Sequence, residues 1–292
     1  MNGYPLKVGV NDMQIQITLT VPEAKRLIAK GAAALPEVQA ALRNGKIFFK
    51  GGTTVSAVAE ELVGTPIKIS GRISPRGTKT TSAKIDGKHN LLVSSGLTEY
   101  VDDRLKQVIG QLGPDDVIII GANAMDSQGG AAMMLGGALG GPPGEVIAGM
   151  LSCGAHVIIP AGLEKFIPGR IDDAVRAAGR TRMDLAMGMA VGLVPLVGRI
   201  ITEIDALTLL YDVRCTPIGM GGVWGAEGAT TMVVAGPISE VKKAFALVQT
   251  IKGATTPGLP ESFPECERGN HACGNHVGCM YRKGTHLLEN SD

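Results

Sequence analysis

Aromatic side chains are scarce in this chain, which has one Trp, four Tyr and five Phe among its 292 residues. Hydrophobic residues still make up 45% of the sequence, so the core has to be built mainly from aliphatic side chains and Met. Lys and Arg nearly balance Asp and Glu. The resulting net charge of +1 predicts no broad electrostatic field for nucleic acid or for a membrane surface. We therefore expect neither of these partners.

Long apolar runs are also lacking. The longest stretch with little charge, Met183 to Val197, contains one Asp and is interrupted by two Gly and one Pro, so it is too short and broken for a membrane span. The first residues show no apolar segment of the kind found in signal peptides. Five Cys, an odd number, fit a reducing compartment better than a disulfide framework. We expect a cytoplasmic protein.

Glycine, by contrast, is abundant. The 41 Gly are roughly twice the usual share and show no collagen-like period, so they indicate many tight loops. Two apolar runs, Ile47–Lys50 and Val117–Ile120, each stop abruptly at a glycine and lead into small polar residues. This pattern is typical of buried parallel strands, whose carboxyl ends share one edge of a sheet where ligands bind. The loops that begin at Gly51 and Gly121 are therefore candidate walls of one site.

The order of the predicted elements indicates the fold class. Strands alternate with helices up to about residue 182, which predicts a doubly wound, mainly parallel sheet. The next segments, from strand Arg199–Ile204 to helix Ser239–Lys252, follow the order β-α-β-β-α and predict a small ferredoxin-like α+β unit. We therefore predict a ligand-binding α/β domain over 1–182, an α+β unit over 183–256 and a Cys/His-rich tail over 257–292.

Several local predictions accompany this scheme. The pattern indicates a helix that runs from Val21 towards Asn44 with breaks at Gly31 and near Pro36, a strand over Ile67–Ser70 and a helix over Glu99–Leu112. A basic loop, residues 71–79, follows the strand over Ile67–Ser70.

The predicted edge has groups suited to an anion. Backbone amides approach a ligand most closely where the Cβ atom is absent, and the N–H groups at a helix start favour phosphate or carboxylate. The candidate ligand-binding residues are Gly51, Gly52, Thr53, Thr54, Arg72, Arg76, Lys79, Gly121 and Asn123. A plain strand-to-helix turn and a solvated basic hairpin are the alternative interpretations.

The segment from about residue 46 to 166 resembles the sugar isomerase/CoA transferase-like superfamily, which includes ribose-5-phosphate isomerase and the effector domains of DeoR-type repressors. The motifs that carry the resemblance are Gly51-Gly52-Thr53-Thr54, Ser70-Gly71-Arg72, Gly121-Ala122-Asn123-Ala124-Met125-Asp126, Gly136-Gly137-Ala138-Leu139 and Glu145. The resemblance implies a pocket for a sugar phosphate or a CoA-like ligand. It also implies that Glu145 and Asp126 are the catalytic carboxylates of an isomerase- or CoA-transferase-like enzyme.

The sequence departs from the isomerase pattern at two loop positions. Ile120 and Asn123 stand where the isomerase has aspartates, and an amide cannot exchange protons as a carboxylate can. We therefore expect ribose-5-phosphate isomerase activity to be absent or very low. A non-catalytic effector-binding sensor is the alternative, although no helix-turn-helix signal precedes the segment that would make it a DNA-binding repressor.

The tail has its own concentration of metal-ligating residues: Cys266, His271, Cys273, His276 and Cys279. Thiolates and imidazoles suit Zn²⁺, and three thiolates also suit an iron–sulfur cluster, so a metal or redox protein is a third possibility. The alternative is a flexible tail with reduced thiols. Whether the protein uses an organic cofactor is left open by the sequence. Since ferredoxin-like units often pair through their sheets, we also expect a homo-oligomer by fold analogy.

Overall fold

The computed structural model describes residues 12–80, 87–266, 273–274 and 276–281, without the side chains of Pro143 and Glu145. It shows a mixed α/β protein. The described strands are β1 Asp12–Leu19, β2 Lys46–Lys50, β3 Gly71–Ser74, β4 Gly77–Thr80, β5 Asn90–Ser94, β6 Leu97–Tyr100, β7 Val117–Ile120, β8 Ala124–Met125, β9 Ala131–Leu135, β10 His156–Pro160, β11 Gly192–Leu196, β12 Arg199–Ile201, β13 Arg214–Gly221 and β14 Ala229–Pro237. The described α-helices are α1 Val21–Ala33, α2 Pro36–Asn44, α3 Thr53–Val63, α4 Leu105–Ile109, α5 Gly141–Ser152, α6 Ile171–Ala177, α7 Glu203–Leu210 and α8 Ile238–Ile251. None of the helices in these ranges is both long and apolar enough to cross a membrane.

The central element is a mixed six-stranded sheet in the order β12-β10-β7-β2-β5-β6. The first four strands are parallel, and β5 and β6 are antiparallel to their neighbours. The antiparallel β5 differs from the predicted strand direction. The reason is the β3–β4 hairpin between α3 and β5, which occupies the predicted basic loop and replaces a simple crossover.

Helices cover both faces of this sheet because its strands alternate apolar side chains between two cores. Phe48, Ile118 and Ile120 lie in the core that includes residues of α4 and α5. Ile47, Phe49 and Ile119 lie in the other core, with residues of α2 and α3. The strand–loop junctions of β2 and β7 are thus held between two packed layers.

A second, antiparallel sheet has the order β1-β14-β13 and joins the first described strand to two strands of the predicted α+β unit. The predicted α+β unit is correct in its order of later elements but not in its first strand. Residues Arg199–Ile201 form β12, which pairs in parallel with β10 of the central sheet. β1 instead supplies the third strand, beside β14. Hydrogen bonds therefore connect the two predicted domains at two places, between β1 and β14 and between β10 and β12.

Three local predictions also need correction. Gly31 does not interrupt α1, which continues to Ala33. A Cβ atom at Gly31 would lie 2.5 Å from the Cα of Ala206, so the glycine allows α1 to pack closely against α7. Residues 65–70 form no strand, and their backbone N–H groups bond to single partners such as Ser262 Oγ, which accepts from Ile69. The predicted helix over Glu99–Leu112 is shorter, since β6 takes its first residues and α4 begins at Leu105.

Candidate functional site

The crevice between β2 and β7 brings the two glycine loops together. Lys50 is opposite Ile120 in the parallel register, so Gly51 and Gly121 leave the sheet side by side at its carboxyl edge. A Cβ atom at Gly51 would lie 2.4 Å from the carbonyl oxygen of His89 and 3.2 Å from that of Lys68. Gly51 therefore allows three backbone segments to meet at this point.

The helix α3 begins in the same crevice. Its N-cap is Gly52, and the first helical hydrogen bond is donated by the Ser56 N–H to the Gly52 carbonyl at 2.8 Å. The N–H groups of Thr53, Thr54 and Val55 precede this ladder and are the donors that a helix start offers to an anion. The nearest atom to a Cβ placed at Gly52 is 3.7 Å away, so the backbone is open to close approach there.

Lys50 is the cation that the sequence analysis did not select. Strand alternation places it on the same face as Phe48, which is the face covered by α5. The residue is half-buried, and burial lowers the pKa of its ammonium group to about 8. Among the described residues no carboxylate lies within 4.0 Å of its Nζ atom. Within the described residues, the positive charge of this lysine at a strand's carboxyl end is not offset by a carboxylate.

The start of α5 borders the same edge of the sheet from the other face. Gly140 is its N-cap in a left-handed conformation (φ 78°), and a Cβ atom at Gly144 would lie 2.2 Å from the carbonyl oxygen of Leu139. These glycines allow a compact turn after β9. The predicted catalytic residue Glu145 belongs to the first turns of this helix by its backbone, but its side chain lies outside the described part of the structure.

The two polar side chains of the Gly121–Asp126 loop are used to shape it. Asp126 accepts backbone N–H groups from Gln128 and Gly130 on Oδ1, both at 2.9 Å, and from Ile171 on Oδ2 at 2.8 Å. The Ile171 bond is the foremost cause of a lowered pKa of this carboxyl. Asn123 Oδ1 accepts from the Met134 N–H at 2.9 Å. Both residues therefore have anchoring contacts, which leaves Asp126 poorly suited to proton transfer.

The three predicted cations of the basic loop lie on the β3–β4 hairpin and contact the C-terminal tail. Arg72 Nη2 donates to the Pro264 carbonyl at 2.6 Å. Arg76 Nη1 donates to the Cys266 carbonyl at 2.8 Å, and its guanidinium lies 4.2 Å from the centre of the Tyr281 ring. Lys79 is buried and forms an ion pair with Glu265. In this arrangement the hairpin cations hold the tail in place.

Four of the five predicted metal ligands are described, and His271 lies outside the described residues. No group of three His, Cys, Asp or Glu side chains that could hold a metal occurs within the described ranges. His276 is nevertheless buried, and its Nε2 atom has no hydrogen-bond partner among these residues. Burial, with the charge of Lys79 as a second cause, lowers the pKa of this imidazole.

A buried acidic pair was missed by sequence reasoning. Glu164 follows β10 and Glu203 follows β12, so both lie beyond the carboxyl ends of parallel strands at the edge that carries Gly51 and Gly121. The sequence signal that would have found them is the same one that selected the glycine loops, an apolar strand that ends in a polar residue. Isolated glutamates at helix starts are common, which is why the pattern alone did not single them out.

A surface cavity of about 420 Å³ lies elsewhere, between α1, the end of α3 and the residues after α8. Its cations are already paired, Arg26 with Glu60 at 2.7 Å and Lys30 with Glu61 at 3.0 Å. This cavity has less to offer a charged ligand than the crevice at the sheet edge.

Comparison of the chain with protein-family models, with curated proteins and with solved structures found no match. Its function therefore has to be inferred from the chemistry of the site.

Proposed function

We propose that this protein binds a small anionic ligand, phosphorylated or CoA-like, in the crevice between the carboxyl ends of β2 and β7. The observation that carries the proposal is Lys50, a desolvated lysine with no carboxylate partner among the described residues, directly before the start of α3. An anionic ligand that spans the crevice would accept hydrogen bonds from the N–H groups of the first turn of α3 on one face of the sheet and neutralise the Lys50 ammonium charge on the α5 face. The same chemistry is what the resemblance to the sugar isomerase/CoA transferase-like superfamily implies.

The topology supports this location. The chain leaves β2 towards β5 on one side and leaves β7 towards β10 on the other, while α3 and α5 pack on opposite faces of the sheet. In doubly wound sheets such a reversal of strand order opens a crevice at the carboxyl ends, where ligands bind. We infer that the four parallel strands form such a crevice as a doubly wound sheet does, and that the two antiparallel strands extend the sheet at one side.

The test is binding of inorganic phosphate, of a panel of sugar phosphates and of CoA. Binding is measured by calorimetry and by the increase in the thermal unfolding temperature. A ligand at a hundred times its Kd adds roughly 2.7 kcal/mol to the free energy of unfolding. Lys50→Met removes one charge-assisted contact, and we expect affinity to fall about 10- to 100-fold. Lys46→Met is the matched control, since Lys46 begins the same strand at the opposite edge and lies 3.7 Å from Asp116. Equal loss in both variants, or no binding by the wild type, would contradict the proposal.

The pH dependence of binding gives a second measure of Lys50. The ligand binds the charged form of this lysine, whose pKa in the free protein is about 8. The ratio of wild-type affinity to Lys50→Met affinity, in which the titration of the phosphate itself cancels, should be nearly constant below pH 7 and fall above pH 8, because binding through Lys50 then requires proton uptake.

Turnover separates an enzyme from a sensor. If the protein binds a sugar phosphate or CoA ester and converts it, an isomerase- or transferase-like function is favoured. Binding without conversion favours the effector-binding sensor.

We propose metal binding by the tail as a second function, with Zn²⁺ or an iron–sulfur cluster as the alternatives. The observation in its favour is the buried His276, whose Nε2 atom has no hydrogen-bond partner among the described residues, three positions before the buried Cys279. A complete set would need Cys266, Cys273 or His271 to join them. Elemental analysis of anaerobically purified protein tests this, and Cys279→Ser should lower the metal content. Metal-free wild-type protein would exclude it.

A further inference from the structure

Two buried glutamates lie beside the proposed anion site. The strand order places β10 next to β7, so Glu164 lies beyond a strand two positions from β2, about 10 Å across the sheet from the Lys50 end. Glu203 lies beyond β12, the next strand out, and is 1% exposed. Both therefore border the same sheet edge as the glycine loops.

Gly162 brings the two carboxylates together. A Cβ atom at this position would lie 2.0 Å from Glu164 Oε2 and 3.2 Å from Glu203 Oε1. These two oxygens are consequently within about 5 Å of each other, on the side of the backbone where any other residue would place its side chain. The backbone at Gly162 is extended (φ −73°), so the reason for glycine here is space rather than conformation.

The two carboxylates have different surroundings. Glu203 accepts the Leu163 N–H, at 3.0 Å on Oε2 and 3.2 Å on Oε1. The Glu164 side chain is 10% exposed, both its oxygens are buried, and neither has a hydrogen-bond donor in the described part of the chain. The Nζ atom of Lys165 lies 3.6 Å from Oε1. A buried carboxylate without a hydrogen-bond donor is rare and calls for a proton or a ligand group.

The surroundings of Glu203 favour its protonated form. Burial first, and then the charge of Glu164, raises the pKa of Glu203 to about 7, with Asp205 of the same helix adding to it. Lys25 of α1 is also buried, and burial followed by the charge of Lys165 lowers its pKa to about 8. Near neutral pH Glu203 is therefore close to half protonated, next to the side chain of Glu164.

We infer that Glu164 and Glu203 form an acid–base dyad that exchanges protons with the non-anionic end of the ligand bound at the β2–β7 crevice. The inference rests on the proposed function for its ligand. The ionised carboxylate takes a proton from the ligand, and the protonated one gives its proton back at a second ligand atom. The dyad then again carries one proton, so the step needs no further reactant. The role replaces the one predicted for Asp126, whose oxygens are occupied by backbone donors.

The exposed turn between β13 and β14 borders the dyad. A Cβ atom at Gly228 of this turn would lie 3.5 Å from Glu164 Cβ. Gly221, Gly222, Gly225 and Gly228 all have positive φ, and Trp224 beside them is 98% exposed. The turn is thus weakly held by side chains and borders the pair from the solvent side.

The dyad itself can be tested without a ligand, by NMR titration of carboxyl carbons in protein labelled with ¹³C-glutamate. We expect one Glu carboxyl to titrate near pH 7. Glu203→Gln should remove that signal, and Glu164→Gln should lower its midpoint by at least half a pH unit. Gly162→Ala should also lower the midpoint, because its methyl group displaces Glu164. Absence of a wild-type Glu carboxyl that titrates above pH 6 would overturn the dyad, whether or not any variant folds.

The catalytic part is tested by hydrogen exchange. Each sugar phosphate or CoA ester that binds is incubated with the protein in D₂O, and deuterium incorporation is followed by proton NMR. We expect Glu164→Gln and Glu203→Gln to lower the exchange rate at least 100-fold while the Kd changes less than threefold. Asp103→Asn, at an exposed site, is the control and should match the wild type. Lys50→Met should instead weaken binding.

These outcomes separate the two proposals. A ligand that binds through Lys50 but shows no exchange with wild-type protein overturns the acid–base role and leaves the anion site intact. If no ligand binds, the proposed function fails, while a Glu203 titration near pH 7 that shifts in Glu164→Gln would still support the interaction of the two carboxyl groups. Exchange that persists in Glu164→Gln and Glu203→Gln also overturns the inference.

Discussion

At the scale of single residues, the two glycines after β2 have separate tasks. Gly51 is where backbone segments meet, since its Cβ would lie 2.4 Å from the His89 carbonyl oxygen, whereas Gly52 faces open space. We expect Gly51→Ala to lower the free energy of unfolding by about 1–3 kcal/mol, because backbone atoms must shift. Gly52→Ala should change stability by less than about 0.5 kcal/mol and mainly weaken phosphate binding. Chemical unfolding and calorimetry check both, and equal stability loss in the two variants would count against the assigned roles.

The raised pKa of Glu203 has a consequence for stability. A carboxyl with a folded pKa near 7 and an ordinary value of 4.5 stabilises the fold only in its protonated form. This contribution is complete below pH 4.5 and is lost as the pH rises through 7. Between pH 5 and 8 the wild type should therefore lose about 2–3 kcal/mol relative to Glu203→Gln, at 1.36 kcal/mol per pKa unit. Urea unfolding of both proteins across this range measures the difference. A constant difference would mean that Glu203 is ionised throughout.

Which residues form a site was only partly predictable at this scale. The edge at which Gly51 and Gly121 lie follows from apolar runs that stop at glycine, a pattern visible in the sequence. Lys50 was visible as the last residue of its strand, but its desolvation depends on packing that a sequence does not display. The backbone donors around Asp126 come from residues up to 45 positions away, so its anchoring role could not be foreseen.

At the scale of elements, the hairpin β3–β4 and the tail are held together by contacts of the hairpin cations, among them the ion pair of Lys79 with Glu265. Lys79 is 2% exposed, while the side chain of its partner Glu265 is 37% exposed. The ion pair, as the first cause, lowers the pKa of Glu265 to about 2. The hairpin was predicted as a loop, since short polar strands with Gly and Pro carry no clear strand signal.

The unequal burial of this pair predicts unequal effects of its two partners. Glu265→Gln leaves a buried ammonium group without its carboxylate and should destabilise the tail by about 1–3 kcal/mol. Lys79→Met leaves a carboxylate that water can reach and should cost less. Limited proteolysis, with cleavage after residue 257 as the readout, compares them. The difference should be full above pH 4.5 and vanish towards pH 2, where Glu265 becomes protonated. A larger effect of Lys79→Met would contradict this assignment of burial.

At the scale of the whole molecule, strands from the two predicted domains share one core. Ile17 and Leu19 of β1 belong to the same cluster as Met232 and Val234 of β14, together with side chains from β2, β7 and β10. Most helices and strands were recognisable in the sequence from their local periodicity. Which strands pair with each other was not, because the pairing of β1 with β14 joins residues more than 200 positions apart and leaves no local pattern in the sequence.

This pairing predicts that the chain unfolds as one unit and that a cut at the predicted domain boundary separates parts that need each other. Fragment 1–182 lacks β14 and β12, which exposes Ile17, Leu19 and one edge of β10. Each large apolar side chain returned to water costs about 1.5–3 kcal/mol, against a total stability of roughly 5–15 kcal/mol. We expect the isolated fragment to show poorly dispersed NMR spectra, and co-expression with 183–292 to restore the native spectrum. The intact chain should show coincident urea transitions by near- and far-UV circular dichroism. A well-dispersed spectrum of fragment 1–182 alone would show that the first domain folds without the strands that cross the boundary.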